Sequence, residues 1–485
     1  MTLRLCPALV GALLLTGCVA GPDYHRPATD LPVSWRLEAP FRVSEPSDTL
    51  TKGPWWNRFG DATLDALETQ ALDASPTLAA ASARLAQARA QVAAAEAALV
   101  PSLGFAGRAA RSKISQDRPL TNYQSPNFST VQNDFAAAMT TSYEVDLAGR
   151  VRRTIEGARA SAQQSAADFE NTRLLLTAEL ATDYYTLREL DIELDVVTRA
   201  IALQRRSLDL ATTRHDLGAT SGLDVASQQA LLDSTLTQLD VLHRQRAQFE
   251  HAIATLTGTA APSFSLAADI RTLEPPDVPI GVPSDVLERR PDVASAERAM
   301  AAANAQIGVA AAAFYPSIIL SPTYGLESAS LSTLFSASSL LWAIGVSIAQ
   351  PVIDSGRLQA NLDFAKAGYD VTLANYRRVI LTAMQEAEDG IVGLAALERA
   401  SDQAGAAIVS AQRVLDLATS RYEGGIATYL EVITAEQGLL NAERLAAQLR
   451  GQRILTAVFL VKALGGDWPG PAALAKGTDS TRSVH

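Results

Sequence analysis

The chain of 485 residues contains only two cysteines, Cys6 and Cys18, which excludes a disulfide framework or a cysteine-rich zinc site in its body. Its five histidines show no helical metal-binding spacing. Basic residues number 41 against 52 acidic ones, and this deficit argues against nucleic-acid binding, which requires clustered Lys and Arg. We therefore expect no metal, no cofactor and no nucleic-acid partner.

Long hydrophobic runs are also missing. The longest apolar stretches, 310–320 and 340–349, are interrupted or too short for a membrane-spanning helix. If this chain crosses a membrane, strands must do so, because only helices and closed barrels satisfy the backbone hydrogen bonds in lipid. The sequence contains neither a nucleophile elbow nor a glycine-rich phosphate loop. We therefore do not expect an enzyme.

The N-terminus has the pattern of an export signal. Arg4 precedes a short apolar stretch, 8–15, which ends in Leu15-Thr16-Gly17-Cys18. Small residues before a cysteine resemble the bacterial lipobox, which implies a signal peptide over 1–17 and acylation of Cys18. The alternative is an ordinary secretory peptide with an incidental cysteine. Val19 is not the Asp that resembles an inner-membrane retention signal, which favours the outer membrane.

Proline is missing from residues 127–261 and 352–468, and such stretches permit long unbroken helices. Within the first of them, leucine or isoleucine recurs every seven residues, which is typical of a coiled coil. These positions are Leu180, Leu187, Leu194, Ile201 and Leu208. The heptads alone do not exclude a coiled-coil rod.

The chain also matches itself, which indicates a duplicated half-molecule. At an offset of 207, Gly149-Arg150 aligns with Gly356-Arg357, and Gly218 aligns with Gly425. Each copy is too long for a solenoid repeat. The first repeat is predicted over 54–257, with a hairpin 101–146 and helices 149–212 and 223–257. The second is predicted over 285–464, with a hairpin 316–350 and helices 356–421 and 428–464. The remaining segments are 18–53, 258–284 and the tail 465–485.

Two segments alternate with the period of a strand. Phe135, Met139 and Tyr143 fall on one face of 134–146, opposite small or polar residues. The aligned segment 340–349 places Trp342 and Ile344 on one face. One apolar face over about ten residues fits a transmembrane strand. The strands that precede these two are less regular, and we expect Pro322 to interrupt the second.

Two hairpins supply four strands, whereas the smallest closed membrane barrels need about eight. Because open sheet edges are not tolerated in lipid, the chain must associate with copies of itself. Two copies would supply eight strands and three would supply twelve. Physical reasoning from the sequence predicts an oligomer and leaves this number open.

The motifs together resemble the TolC superfamily of outer-membrane channels, and most closely its OprM/NodT-like lipoproteins of resistance-nodulation-division pumps. The resemblance covers essentially the whole mature chain. Its most specific elements are Cys18 with Gly21-Pro22-Asp23-Tyr24, Trp55-Trp56 with Phe59 and Asp61, the run through Arg84, Arg89 and Gln91, and the turns Arg214-x-x-x-Gly218 and Arg421-Tyr422-x-x-Gly425.

This resemblance implies an α+β membrane protein with an internal two-fold repeat. It implies a homotrimer, in which four strands per chain form a twelve-stranded β-barrel in the outer membrane. A long α-helical coiled-coil barrel would continue it through the periplasm of a Gram-negative bacterium. The expected partners are outer-membrane lipid, a periplasmic adaptor protein and an inner-membrane resistance-nodulation-division transporter.

The two turns are predicted to be tips of helical hairpins, because each interrupts a helical pattern with Gly and Thr or Ser. By resemblance they form the periplasmic entrance and the adaptor-docking site. The residues expected there are Gly218, Gly425, Arg214 and Arg421.

The same resemblance implies a gate inside the entrance, and Tyr422 and Leu430 match positions of its ring. Thr434 and Gln437 stand where the family has charged residues, which leaves Asp224 and Glu431 as candidates for an acidic ring. The alternative for this pair is a solvated helix N-terminus, where acidic residues favour the helix dipole.

The leading functional hypothesis is a passive outer-membrane duct of a tripartite efflux pump, which conducts drugs or other small toxic compounds. A runner-up is an outer-membrane duct for protein export by type I secretion. A third hypothesis is a coiled-coil lipoprotein that tethers the envelope, although the alternating strands argue against it. The sequence identifies neither the exported substrate nor the cognate pump.

Overall fold

The computed structural model describes residues 19–27, 54–113, 131–271, 273–276, 278 and 289–466. The predicted signal peptide 1–17, Cys18 and most of the segment 18–53 lie outside the described residues, as do 467–485 of the predicted tail. The chain divides into two compact units. The first comprises Met1–Pro27, Leu85–Ser165 and Ala296–Tyr376, and the second comprises Ala28–Arg84, Ala166–Ser295 and Arg377–His485.

Helices and strands follow the same order twice along the chain. In the first half they are α1 (Ala62–Ala74), α2 (Pro76–Glu96), β1 (Ser102–Lys113), β2 (Val131–Val145), α3 (Arg150–Asp216) and α4 (Gly222–Leu256). In the second half they are α5 (Pro291–Ala312), β3 (Ser317–Ser328), β4 (Leu340–Ala349), α6 (Arg357–Glu423) and α7 (Tyr429–Ala463).

The duplication extends to the backbone. Three of the glycines with a positive φ in the first half have counterparts 207 positions later that also have a positive φ. The pairs are Gly149 and Gly356, Gly218 and Gly425, and Gly258 and Gly465. The helices α3 and α6 are each 67 residues long, and α4 and α7 are each 35. Both halves therefore turn at equivalent positions.

In the second unit, the heptad leucines of α3 lie in two hydrophobic clusters. Leu180 and Leu187 are fully buried in the larger one, while Leu194 and Ile201 lie in the next. Apolar residues at this spacing stabilise a long helix by packing rather than by intrinsic propensity. The heptad pattern thus marks the buried face of α3.

The Trp55-Trp56 motif also belongs to this core. Both indoles are buried, and Trp55 Nε1 donates to Thr177 Oγ1 on α3 at 3.1 Å. Asp61 caps the N-terminus of α1 and accepts a hydrogen bond from the Tyr184 hydroxyl at 2.7 Å. The motif therefore fastens α1 to the middle of α3.

In the first unit, the four strands form one antiparallel sheet in the order β1-β2-β3-β4. One row of opposed residues crosses all four strands, and its members are Phe105, Met139, Tyr324 and Trp342. These side chains are 52–73% exposed. On the opposite face, the Arg108 guanidinium forms ion pairs with Asp134 and Glu327. The sheet therefore has one exposed apolar face and one polar face.

The expectation that Pro322 interrupts its strand is wrong, because β3 runs through it and Pro322 pairs with Ile344 on β4. On the edge of β3 that faces β2, the pairing skips the positions between Thr140↔Thr323 and Tyr143↔Leu320, and the register is the same before and after this gap. Proline lacks a backbone N–H and cannot donate to a ladder. The strand therefore loses local pairing with β2 while keeping its course.

Among the helices of the described residues, none is both long and apolar enough to span a membrane.

The core of α3 yields a stability prediction. Replacing the fully buried Leu187 with Ala should destabilise the protein by about 2–5 kcal/mol, because the deletion leaves a cavity among packed side chains. We expect a lower midpoint in thermal unfolding of the detergent-solubilised protein. Leu217→Ala is the matched control, because that side chain is 78% exposed. Equal losses for both variants would contradict the assignment of the core.

Candidate functional site

The two helix–helix turns have the same backbone geometry. Gly218 has φ +75°, and Gly425 has φ +73°. Gly218 N–H donates to His215 O, and Ala219 N–H donates to Arg214 O, both at 2.8 Å. Such paired bonds close the end of a helix with a residue in the left-handed conformation. A side chain at either glycine would meet open space, so a substitution there costs backbone strain alone.

After the first turn, α4 begins with a side-chain cap. Ser221 Oγ accepts from Leu223 N–H at 3.1 Å, and the Asp224 carboxylate accepts from Thr220 Oγ1. Asp224 thus lies in the first turn of α4, where the helix dipole favours a negative charge. This local contact is the one expected of an acid at a helix N-terminus, and the acidic ring stays a prediction.

One arginine connects the two hairpin tips. The Arg214 guanidinium lies over the Tyr422 ring, 4.8 Å from its centroid, and it donates to the carbonyl oxygens of Tyr422 and Glu423 at 3.4 and 3.5 Å. Tyr422 is 7% exposed, and its ring packs against Tyr429 with centroids 4.9 Å apart. Arg214 therefore links the end of α3 to the end of α6.

The other predicted gate residues lie on the exposed surface at the start of α7. Leu430 is 68% exposed. Glu431 approaches Arg421 at 3.8 Å, and Thr434 Oγ1 donates to Leu430 O at 2.8 Å. The structure thus brings Leu430, Glu431 and Thr434 together, whereas Tyr422 is buried.

Sequence reasoning missed a buried polar cluster next to the tips. Glu436 on α7 is 3% exposed, and its carboxylate accepts from Ser207 Oγ at 2.6 Å and from Gln228 Nε2 at 3.2 Å. Burial raises the pKa of Glu436, while these two hydrogen bonds act in the opposite direction. The sequence did contain a signal for the burial of Glu436. It lies four residues after Val432 and three before Leu439, so it shares a helix face with two apolar residues, and both of these are buried.

In the first unit, the residues that follow Cys18 are fixed to the junction of β2 and α3. Ala20 N–H donates to Ala148 O at 2.9 Å. The buried Arg153 guanidinium donates to Ala20 O and Gly21 O at 3.2 Å, and to Asp23 at 2.8 Å. Cys18 itself lies outside the described residues.

No cluster of three or more potential metal ligands occurs among the described residues.

Comparison with known proteins identifies the family. The family model described as "Outer membrane efflux protein" matches residues 67–259 and 282–466. The chain belongs to this family. It is 32% identical to the pyoverdine export outer membrane protein OpmQ of Pseudomonas aeruginosa, over 96% of this chain and 98% of OpmQ. It is 30% identical to the antibiotic efflux pump outer membrane protein ArpC of Pseudomonas putida, over 96% of each chain.

Solved structures give the same result. The outer-membrane channel OprN matches with a TM-score of 0.83 and 28% identity, over 93% of this chain and 100% of OprN. The predicted fold class, outer-membrane location and efflux function are confirmed. The protein is an outer-membrane component of an efflux system, in a family whose members are channels.

The contact between the tips yields a prediction. Arg214→Gln removes the stacking on Tyr422, which should weaken the contact between the hairpins by about 0.5–2 kcal/mol. Hydrogen exchange measured by mass spectrometry should become faster at the end of α6. The exposed Arg205 on the same helix offers the control Arg205→Gln. Unchanged exchange in Arg214→Gln would show that Arg214 does not hold the tips together.

Proposed function

We propose that the protein acts as a homotrimer, in which three four-stranded sheets close a twelve-stranded barrel through the outer membrane. The observation that carries this proposal is the exposed apolar row Phe105, Met139, Tyr324 and Trp342 on a sheet whose outer strands, β1 and β4, have no further partner among the described residues. Lipid tolerates such a face but not such edges. Pairing of β1 with β4 of a neighbouring copy satisfies both requirements.

Three copies are favoured over two because a duct needs an open lumen. Eight strands leave an interior that side chains fill, whereas larger barrels enclose a channel. A duct for drugs or other small toxic compounds needs the larger opening. The polar face, with Arg108, Asp134 and Glu327, would line this lumen.

We also propose that Cys18 carries the acyl anchor. The hydrogen bond between Ala20 and Ala148 supports this, because it holds the residue two positions after Cys18 beside the end of β2. Acyl chains attached there would enter the membrane next to the strands.

The tips are proposed to dock a periplasmic adaptor protein, which connects the channel to an inner-membrane transporter of the resistance-nodulation-division type. Gly218 and Gly425 support this role because their surroundings are open and their conformation presents a compact turn. Arg214 and Arg421 would fix the tips, while Leu430, Glu431 and Thr434, with Asp224, would face the entrance. Tyr422 would support the gate from within.

The substrate class is proposed from the relatives. OpmQ is named for pyoverdine export and ArpC for antibiotic efflux, and another relative, TtgC of Pseudomonas putida, is named for toluene efflux. These names share export of small organic compounds. The chain would conduct such compounds passively, with the energy supplied by the inner-membrane transporter.

The direct test is single-channel recording in planar bilayers, combined with chemical cross-linking of the detergent-purified protein. We expect stable conductance steps and a cross-linked species at three times the chain mass. A monomer that stays soluble without detergent and conducts no ions would overturn the proposal.

The apolar row yields a prediction for insertion. Ile344→Arg should oppose membrane insertion by about 2–4 kcal/mol per chain if the residue lies near the bilayer midplane, because Ile344 is 77% exposed on the apolar face. Less protein should then fractionate with the outer membrane. Ala343→Arg is the matched control on the opposite face. If both variants insert equally, the apolar face does not contact lipid.

The tips yield a second prediction. Gly425→Val places a β-branched residue at φ +73°, which costs roughly 1–2 kcal/mol of backbone strain. We expect lower drug resistance in cells with an unchanged yield of trimer. Gly438→Val is the control, because that glycine lies within α7 with open space around it and an ordinary φ. Unchanged resistance in Gly425→Val would mean that the tip does not dock the adaptor.

A further inference from the structure

A single buried carboxylate joins the two helical hairpins near their tips. Glu436 belongs to α7, while its hydrogen-bond donors, Ser207 and Gln228, belong to α3 and α4. Gln228 Nε2 also donates to Gln204 O at 3.1 Å, and the Tyr429 hydroxyl donates to Ser207 O at 3.2 Å. Hydrogen bonds from neutral side chains at and around one acid thus connect the α6–α7 hairpin to the α3–α4 hairpin.

No cation forms an ion pair with Glu436 within the part of the chain that the structure describes. The nearby Arg199 pairs with Asp195 and approaches Glu443 at 4.0 Å. Hydrogen bonds from Ser207 and Gln228 are weaker compensation for a buried charge than an ion pair would be. The packed arrangement therefore favours the neutral carboxyl group.

The cluster borders a cavity of about 570 Å³ between α3, α6 and α7. Gln204 is 1% exposed, yet among the residues that the structure describes neither of its side-chain polar atoms has a partner, and the Tyr422 hydroxyl has none there either. A buried polar group without a hydrogen-bond partner destabilises the packed arrangement, and a hydrogen bond to water would remove this cost. The charged and titratable residues that line the cavity with Glu436 are Arg199 and Arg206 from α3, Asp416 and Tyr422 from α6, and Tyr429 and Glu443 from α7. Burial raises the pKa of Tyr429, and on α4 the negative charge of Asp224 contributes to raising it.

We infer that Glu436 is a proton-sensitive tie between the hairpins: its neutral form holds the tips packed, and its ionised form favours their separation. The inference rests on the proposed channel function. Separation of α7 from α3 and α4 would hydrate the carboxylate together with the unpaired Gln204 and Tyr422. Hydration stabilises the ionised carboxylate more than the neutral carboxyl group, because in the packed arrangement the charge has no cation partner among the described residues.

The direction of the pH effect follows from linkage. Burial raises the pKa of Glu436 in the packed tip, so the packed form binds more protons than the separated form. The packed tip is therefore stabilised at pH values below the ordinary range of a glutamic acid, and this stabilisation is lost as the pH rises through the raised pKa. The ratio of separated to packed tips can change by up to roughly tenfold per pH unit within that window.

The test is conductance of the purified full-length channel in planar bilayers between pH 5 and 8, with Glu436→Gln as the main variant. The wild-type channel should open more often as the pH rises. Glu436→Gln cannot ionise and still accepts one hydrogen bond through its amide oxygen, so its open probability should stay near the acidic wild-type value throughout. The protection factors for hydrogen exchange at 429–440 should show the same loss of pH dependence. This measurement detects separation of the helices independently of current.

Two variants identify the source of a pH effect. Glu443→Gln changes another carboxylate of the same cavity, and Glu431→Gln changes the exposed acid at the entrance. Both should keep the pH-dependent step. A step that disappears in Glu431→Gln but persists in Glu436→Gln would overturn the inference and assign the effect to the entrance. A wild-type channel that conducts without any pH dependence would overturn it as well, whereas absence of all conductance would reject the channel proposal itself.

Discussion

Unpaired backbone groups at the edges of the sheet impose the main constraint on this molecule. The described residues form three ladders between four strands, and among them the outer sides of β1 and β4 have no partner. In hydrocarbon each unsatisfied N–H or C=O costs several kcal/mol. The apolar row across the sheet favours lipid while the edges forbid it in a single copy. Association of copies resolves this conflict, and the proposed trimer follows from it rather than from any contact between side chains.

The internal repeat supplies equivalent parts whose contacts have diverged. Arg214 and Arg421 occupy the same position in the two halves, yet Arg214 stacks on Tyr422 of the other hairpin while Arg421 approaches Glu431 within its own. The left-handed glycines are nearly identical in backbone geometry. Duplication has therefore kept the turns, which the backbone requires, and changed the side-chain contacts around them. One link between the hairpins is consequently built from a single arginine, without a symmetric counterpart among the described contacts.

Much of the fold could be predicted because its signals are periodic. Alternation at 340–349 identified a strand with one apolar face, and the heptads identified the buried side of α3. Pro322 misled the prediction, since the rule that proline breaks a ladder does not say on which side the missing N–H lies. The neighbours of a strand depend on tertiary pairing, which the local pattern does not contain.

The site was less predictable for a related reason. Glycine turns and exposed acids stand out in a sequence, so Gly425 and Glu431 could be identified. Glu436 was missed despite its spacing from Val432 and Leu439, because an acid in a helix usually lies on a solvated face. Its burial depends on Ser207 and Gln228, which lie more than 200 positions away.

The contrast between these acids bears on how a helical entrance can respond to its surroundings. Glu431 is exposed in the first turn of α7, where the dipole and water both favour its charge. Such a charge attracts cations from the surrounding water. Glu436 is packed between helices, so its charge is opposed by the same contacts that hold the hairpins together. Only an acid of the second kind couples its proton to the arrangement of the helices, because coupling requires that the two arrangements solvate the group differently.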